Sequence, residues 1–160
     1  MKILFHIATL GFWMALVIHP VMAGTIQDAI DAKIRGDYTT AVRILQPLAE
    51  EGDANAQILL GFSYFSGNGV PKNDSLGMKW SRNSADQGNS TAQFLLGYAY
   101  QNGSRVPQDY VQAYFWFNLA AAHARTSAEP RDAVAKLMAP DQIAQAQKLS
   151  QEWLAAHPQK

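Results

Sequence analysis

Residues 53–88 read DANAQILLGFSYFSGNGVPKNDSLGMKWSRNSADQG, and residues 89–124 read NSTAQFLLGYAYQNGSRVPQDYVQAYFWFNLAAAHA. Laid over one another without a gap, the two agree at 11 of 36 positions, where chance agreement at ordinary composition gives about two. The matching pairs are Ala56/Ala92, Gln57/Gln93, Leu59/Leu95, Leu60/Leu96, Gly61/Gly97, Tyr64/Tyr100, Gly67/Gly103, Val70/Val106, Pro71/Pro107, Trp80/Trp116 and Ala85/Ala121. A period of this length marks a stacked repeat, whose units bury their apolar faces against each other. One further step back brings residues 37–52 into register as half a unit. Asp37, Asn73 and Asp109 then align, as do Ala49, Ala85 and Ala121, and Gly52 matches Gly88.

Each unit reads as a helical hairpin. Ala56, Leu59, Leu60 and Tyr64 fall at i, i+3, i+4 and i+8 and share one helical face. Gly67 and Gly103 stop that first helix as left-handed caps. Pro71 and Pro107 prevent its continuation, and Asn73 and Asp109 cap the second helix. In the second unit, Ala113, Trp116, Phe117, Ala120 and Ala121 trace the inner stripe of that helix. Gly61 and Gly97 sit inside a helix, where glycine costs about 1 kcal/mol relative to alanine. The same cost met twice at one register predicts close helix–helix approach there. Nothing sustains a period of two, so no sheet is expected.

The flanks complete the stack. Residues 24–52 are expected to form a degenerate hairpin, with helices over 25–35 and 38–51 joined at Gly36-Asp37. Residues 125–160 are expected to cap the other end: a polar loop, a short helix over 130–138, and a last helix from Pro140 to about residue 156. Ile143, Ala146, Leu149 and Trp153 lie along one side of that last helix. Residues 1–23 read as an export signal, with Lys2 before an apolar run, then Pro20 and a Val21-Met22-Ala23 cleavage site. The run is shorter than the roughly 20 residues of a spanning helix. Cleavage after Ala23 predicts a periplasmic or secreted product; an uncleaved segment would make the same chain a membrane-tethered adaptor.

Composition and motifs narrow the chemistry. The chain has 160 residues, 13 Lys plus Arg against 13 Asp plus Glu, and no Cys. Zero net charge argues against nucleic-acid binding. Without Cys there is no disulfide framework, no thiol nucleophile and no Cys-bound zinc. His123 and His157 are not followed by the residues of a zinc-protease helix. No Lys has a Ser three positions before it, and Gly67-Asn68-Gly69 lacks the strand and the Lys of a phosphate loop. Glu50 and Glu51 are adjacent and so do not face each other on a helix, and His123 reads as a solvated helix-end residue. No catalytic residue, no metal ligand set and no cofactor is therefore expected. A cell-wall-associated enzyme or binder is the competing class.

The quoted units resemble the Sel-1-like repeat, a longer-looped relative of the tetratricopeptide repeat. The resemblance is carried by Ala54, Ala56, Gln57, Leu60, Gly61, Tyr64, Gly67, Gly69, Val70, Asp74, Trp80, Ala85 and Gly88 in the first unit. In the second it is carried by Ala92, Gln93, Leu96, Gly97, Tyr100, Gly103, Val106, Asp109, Ala113, Trp116, Ala120 and Ala121. It implies an all-α fold, a right-handed α/α solenoid of stacked hairpins with a C-terminal capping helix. It also implies a non-catalytic, exported adaptor that presents a concave helical surface to a protein or peptide. Two departures stand out: Arg105 replaces Gly69 in the second loop, and the disulfide of the cysteine-rich branch is absent.

Repeat logic divides the remaining residues. Leu60, Gly61, Tyr64 and Trp80, with Leu96, Gly97, Tyr100 and Trp116, recur in register and are expected to form the repeat core. The pairs Ile58/Phe94, Phe62/Tyr98 and Phe65/Gln101 differ between units and lie off the shared stripe, at i, i+4 and i+7. Family geometry places this helix on the concave side, so these six are the candidate partner-binding groove; the alternative is packing against the neighbouring first helix. Tyr110 and Tyr114 form a second, weaker candidate patch.

Overall fold

The computed structural model describes residues 24–124 and 128–158. The export-signal reading of 1–23, the loop at 125–127 and the side chain of His123 lie outside the described set. Among the described residues eight helices follow one another: α1 (Ile26–Ile34), α2 (Tyr38–Glu50), α3 (Ala54–Ser66), α4 (Asp74–Asp86), α5 (Ser90–Asn102), α6 (Tyr110–Ala124), α7 (Glu129–Ala135) and α8 (Pro140–Ala156). No strand occurs among the described residues. Each of α1 to α5 packs on its successor, and α6 receives both α7 and α8. This is the stacked all-α solenoid.

Side-chain caps start the first six helices. Thr25 and Asp28 cap α1 reciprocally: the Asp28 N–H donates to Thr25 Oγ1 at 3.2 Å, and the Thr25 N–H donates to Asp28 Oδ2 at 2.7 Å. Asp37 accepts from the Thr40 N–H, Asp53 from Asn55 and Ala56, Asn73 from Leu76, Asn89 from Ala92, and Asp109 from Gln112. The backbone N–H of Thr25 holds the Asp28 carboxyl below its ordinary 3.8, and that of Thr40 does the same for Asp37. Gly67 and Gly103 end α3 and α5 with φ of 74° and 64°. The two long loops then fold back alike: the Asn73 N–H donates to Tyr64 O, and the Asp109 N–H to Tyr100 O.

Three apolar clusters run along the stack. The first joins α1 to α3 around Ala29, Leu45 and Leu60, with Tyr64 and Trp80 packed against it. The second centres on Leu96 and Trp116 and reaches Leu149 and Trp153 of α8. The third links α6 to α7 and α8 through Phe117, Val134 and Ala146. Trp116 is only 1% exposed, and its ring lies 4.9 Å from the Arg82 guanidinium. Trp80 is half-buried, with Lys79 over its ring. Because α7 and α8 cover the far side of α6, its burial extends beyond the single expected stripe. Tyr114, at 6% exposure, is therefore corrected from surface patch to core, and its hydroxyl takes a hydrogen bond from Gln147 Nε2 at 3.3 Å. Tyr110 is half-buried against the same cluster. The short helix also ends earlier than the sequence suggested, at Ala135 rather than Met138.

Trp116→Ala is expected to destabilise the fold by about 3–5 kcal/mol, since it empties the centre of the second cluster; chemical denaturation measures it. Acid gives a second test. Asp28 and Asp37 have lowered folded values, so their contribution is present above about pH 3.8 and is lost as pH falls through those lowered values. Hydrogen-exchange protection in α1 and in the first turn of α2 should fall there before that of α5.

Candidate binding groove

The repeats are held in register by buried amide side chains. Gln57 Nε2 donates to Ala49 O at 3.1 Å, and Gln93 Nε2 donates to Ala85 O at 3.1 Å. Each is a second donor to a last-turn carbonyl of the preceding helix, which also accepts the N–H of Gly52 or Gly88 just past the helix end. Gln87 Nε2 adds a bond to Gln57 Oε1 at 2.8 Å, and Ser84 Oγ donates to Ala54 O at 2.6 Å. Asn89 and Asn55, capping and first-turn residues of successive units, meet at 3.0 Å. These ties set α5 beside α3.

A cavity of about 360 Å³ opens between those units. Phe62 from α3, Met78 from α4, and Phe94, Leu95 and Tyr98 from α5 supply its apolar surface. Thr91, Asn102, Ser104 and Arg105 supply its polar surface. Neither α3 nor α5 carries a charged residue. Phe94 and Tyr98 are large apolar side chains left 38% and 47% exposed. They are held rather than loose. The two rings meet edge-on at 5.0 Å, and each meets Phe117 at 5.5 Å, close to the preferred T-shaped geometry.

Phe117 reaches that position from α6 by crossing Gly97: a Cβ there would lie 2.6 Å from its ring. The first unit solves the same crossing the other way. Its counterpart of Phe117 is Ser81, whose Oγ lies 2.9 Å from where a Gly61 Cβ would be. The filling ring comes instead from Phe65 of α3, which occupies the space a Cβ on Gly77 would need. In the second unit those two positions are Gln101 and Ala113. One aromatic ring thus fills each crossing, from the first helix in one unit and from the second helix in the next.

Arg105 closes the groove at the loop. Its φ is 69°, so the residue standing in for Gly69 keeps the left-handed backbone rather than altering the turn. Gly69 is forced: a Cβ would run into the Tyr38 carbonyl. At Arg105 the neighbour is Asp74, the equivalent of Tyr38, and the side chain uses it. Nε lies 3.1 Å from Asp74 Oδ1, and the guanidinium lies 4.4 Å from the Phe65 ring centroid. The loop of one unit is thereby fastened to the preceding one.

The structure separates the six candidates. Phe62, Phe94 and Tyr98 line the cavity. Ile58 is a correction: at 4% exposure it packs with Ala92 and Leu96, the helix-to-helix packing that was the alternative reading. Phe65 is corrected too, being spent on Gly77 and Arg105, and Gln101 does not line the cavity. Of the core residues, Leu60, Leu96 and Trp116 are fully buried, Gly61 and Gly97 lie in the crossings, and Tyr64, Tyr100 and Trp80 are half-buried. Tyr100 accepts from Arg82 Nη2 at 2.9 Å. Among the described residues no three His, Cys, Asp or Glu come together, and no helix is long and apolar enough to cross a membrane.

Comparison places this architecture among known proteins. The Sel1 repeat model matches residues 54–89 and 90–124. A solved Sel1 repeat protein from Oxalobacter formigenes is 30% identical, with a TM-score of 0.54, covering 62% of this chain and 82% of that one. The chain belongs to the Sel1 repeat family. A protective antigen present in uropathogenic Escherichia coli strains, displaying an SLR fold, superposes with a TM-score of 0.77 at 31% identity. That match covers 82% of this chain but only 29% of the antigen. No curated protein matches the chain. Sel1 repeats are generally protein–protein interaction modules and generally non-catalytic.

The Phe117 contact changes what truncation on the groove should do. Each aromatic pair is worth about 0.5–1.5 kcal/mol beyond its buried area. Phe94→Ala and Tyr98→Ala should therefore lower stability measurably but modestly. Gly97→Ala should cost more, about 1–3 kcal/mol, because Phe117 has nowhere to retreat. Thermal melts of the three variants give the order.

Proposed function

We propose that this Sel1 repeat chain is a non-catalytic, exported adaptor whose groove over α3 and α5 receives a segment of a partner protein. The observation that carries this is the exposure of Phe94 and Tyr98 on a cavity whose rings are fixed from beneath by Phe117. Rigid aromatic anchors dominate binding because they give up little conformational entropy on desolvation. The family's general role as an interaction module supports the same reading. Export rests on the sequence pattern of residues 1–23.

The test is a pull-down from the envelope fraction with the chain from Gly24 onward, beside Tyr98→Ala and the surface control Lys148→Ala. Tyr98→Ala is expected to lose capture while still folded by circular dichroism, since truncating a central anchor costs about 2 kcal/mol or more. Capture unaffected by Tyr98→Ala and Phe94→Ala together would reject the groove. Intact mass of the native protein tests export separately, with an N-terminus at Gly24 expected.

A further inference from the structure

We infer that the groove selects a peptide carrying a bulky apolar side chain close to an internal Asp or Glu, with Arg105 receiving the carboxylate. This rests on the adaptor reading above and names the chemistry of its partner. Three observations carry it. First, among the described residues Arg105 is the one charged residue lining the cavity, and the two helices that form the groove carry no charge at all. A carboxylate arriving there meets a guanidinium of which Asp74 engages only Nε, and no acid among the described lining residues. Second, the guanidinium is fixed in place. Asp74 takes its Nε, and the Phe65 ring holds its face, while neither Nη group has a protein hydrogen-bond partner among the described residues. A guanidinium carries five donors in a rigid fork suited to a second carboxylate. Third, Arg105 occupies a left-handed backbone position that favours glycine, and the neighbouring unit has Gly69 there. A strained residue at a cavity rim is a signal of function when its side chain has a use.

The apolar half of the recognition is the Phe62, Phe94 and Tyr98 surface. The polar remainder of the rim, Thr91, Asn102 and Ser104, is neutral. Charge therefore enters the groove's selectivity through Arg105. A basic peptide would find no partner on the cavity lining, and a wholly apolar one would make no use of the Nη donors.

A random dodecamer library displayed on phage, with its C-terminal ends fused and so without free terminal carboxylates, tests this on the chain from Gly24 onward. Enrichment of sequences with Asp or Glu within about three residues of an aromatic or branched aliphatic residue is expected. An amidated synthetic copy of the strongest sequence is then titrated against wild type and Arg105→Gly. The glycine variant suits the left-handed backbone and should lose at least tenfold in affinity for that peptide. For the copy with its acid replaced by the amide, wild type and variant should bind equally. Should Arg105→Gly unfold, the acid-to-amide change in the peptide, measured on wild type, makes the same comparison. Enrichment of apolar or basic sequences without acids, or equal loss for both peptides, overturns the carboxylate assignment while leaving the groove. Binding that survives Phe94→Ala with Tyr98→Ala, or no enrichment at all, overturns the groove and this inference with it.

Discussion

The reach of one amide side chain from each unit to the last turn of the one before sets the geometry of the stack. An amide side chain buried in the protein interior must find partners, because burying it unpaired is costly. Gln57 and Gln93 find theirs across the unit boundary, each on a carbonyl that a backbone N–H already reaches, at the same atom type and the same distance. Because the donor sits in the first turn of an odd-numbered helix and the acceptor near the end of the preceding even-numbered one, the bond fixes both the spacing and the rotation between hairpins. Apolar packing alone would tolerate sliding; a pair of buried, directional bonds does not. The groove is downstream of this, since Phe62 and the Phe94–Tyr98 pair share a cavity only while α3 and α5 keep that register.

Much of the fold was legible because repetition multiplies weak signals. A single Gly inside a helix says little; Gly61 and Gly97 at one register predicted the close crossings now seen. The caps Asp37, Asn73 and Asp109 were readable for the same reason. The matched glutamines were visible as a pair, yet their role was not, because the acceptor is a backbone carbonyl that leaves no mark in sequence. The extended burial of α6 was also hidden. Periodicity reports the face a helix turns to its own repeat, and Tyr114 is buried by α8, which belongs to none.

The groove was half legible. Differences between units located the right helix face, but the sequence could not tell a residue freed by the repeat from one put to another structural use. Ile58 and Phe65 varied for structural reasons: Ile58 fills space against α5, and Phe65 fills the crossing at Gly77. Phe94 and Tyr98 vary and remain exposed. Arg105 was noticed as a departure from glycine, and its partners, Asp74 and Phe65, lie 31 and 40 positions back in the chain, which no local pattern connects.

The alternating source of the ring that fills each crossing has a consequence for how such a chain can change. Joining α3 to a copy of α6 would bring Phe65 and Phe117 into one crossing, with Gly61 and Ala113 opposite them. Joining α5 to a copy of α4 would bring none, leaving Gly97 facing Ser81 and Gln101 facing Gly77. One hybrid is overfilled and the other hollow. Whole hairpins can be duplicated, deleted or shuffled with their packing intact, whereas single helices cannot. The heritable module of this protein is therefore the pair, and its lineage should have grown and shrunk in steps of two helices.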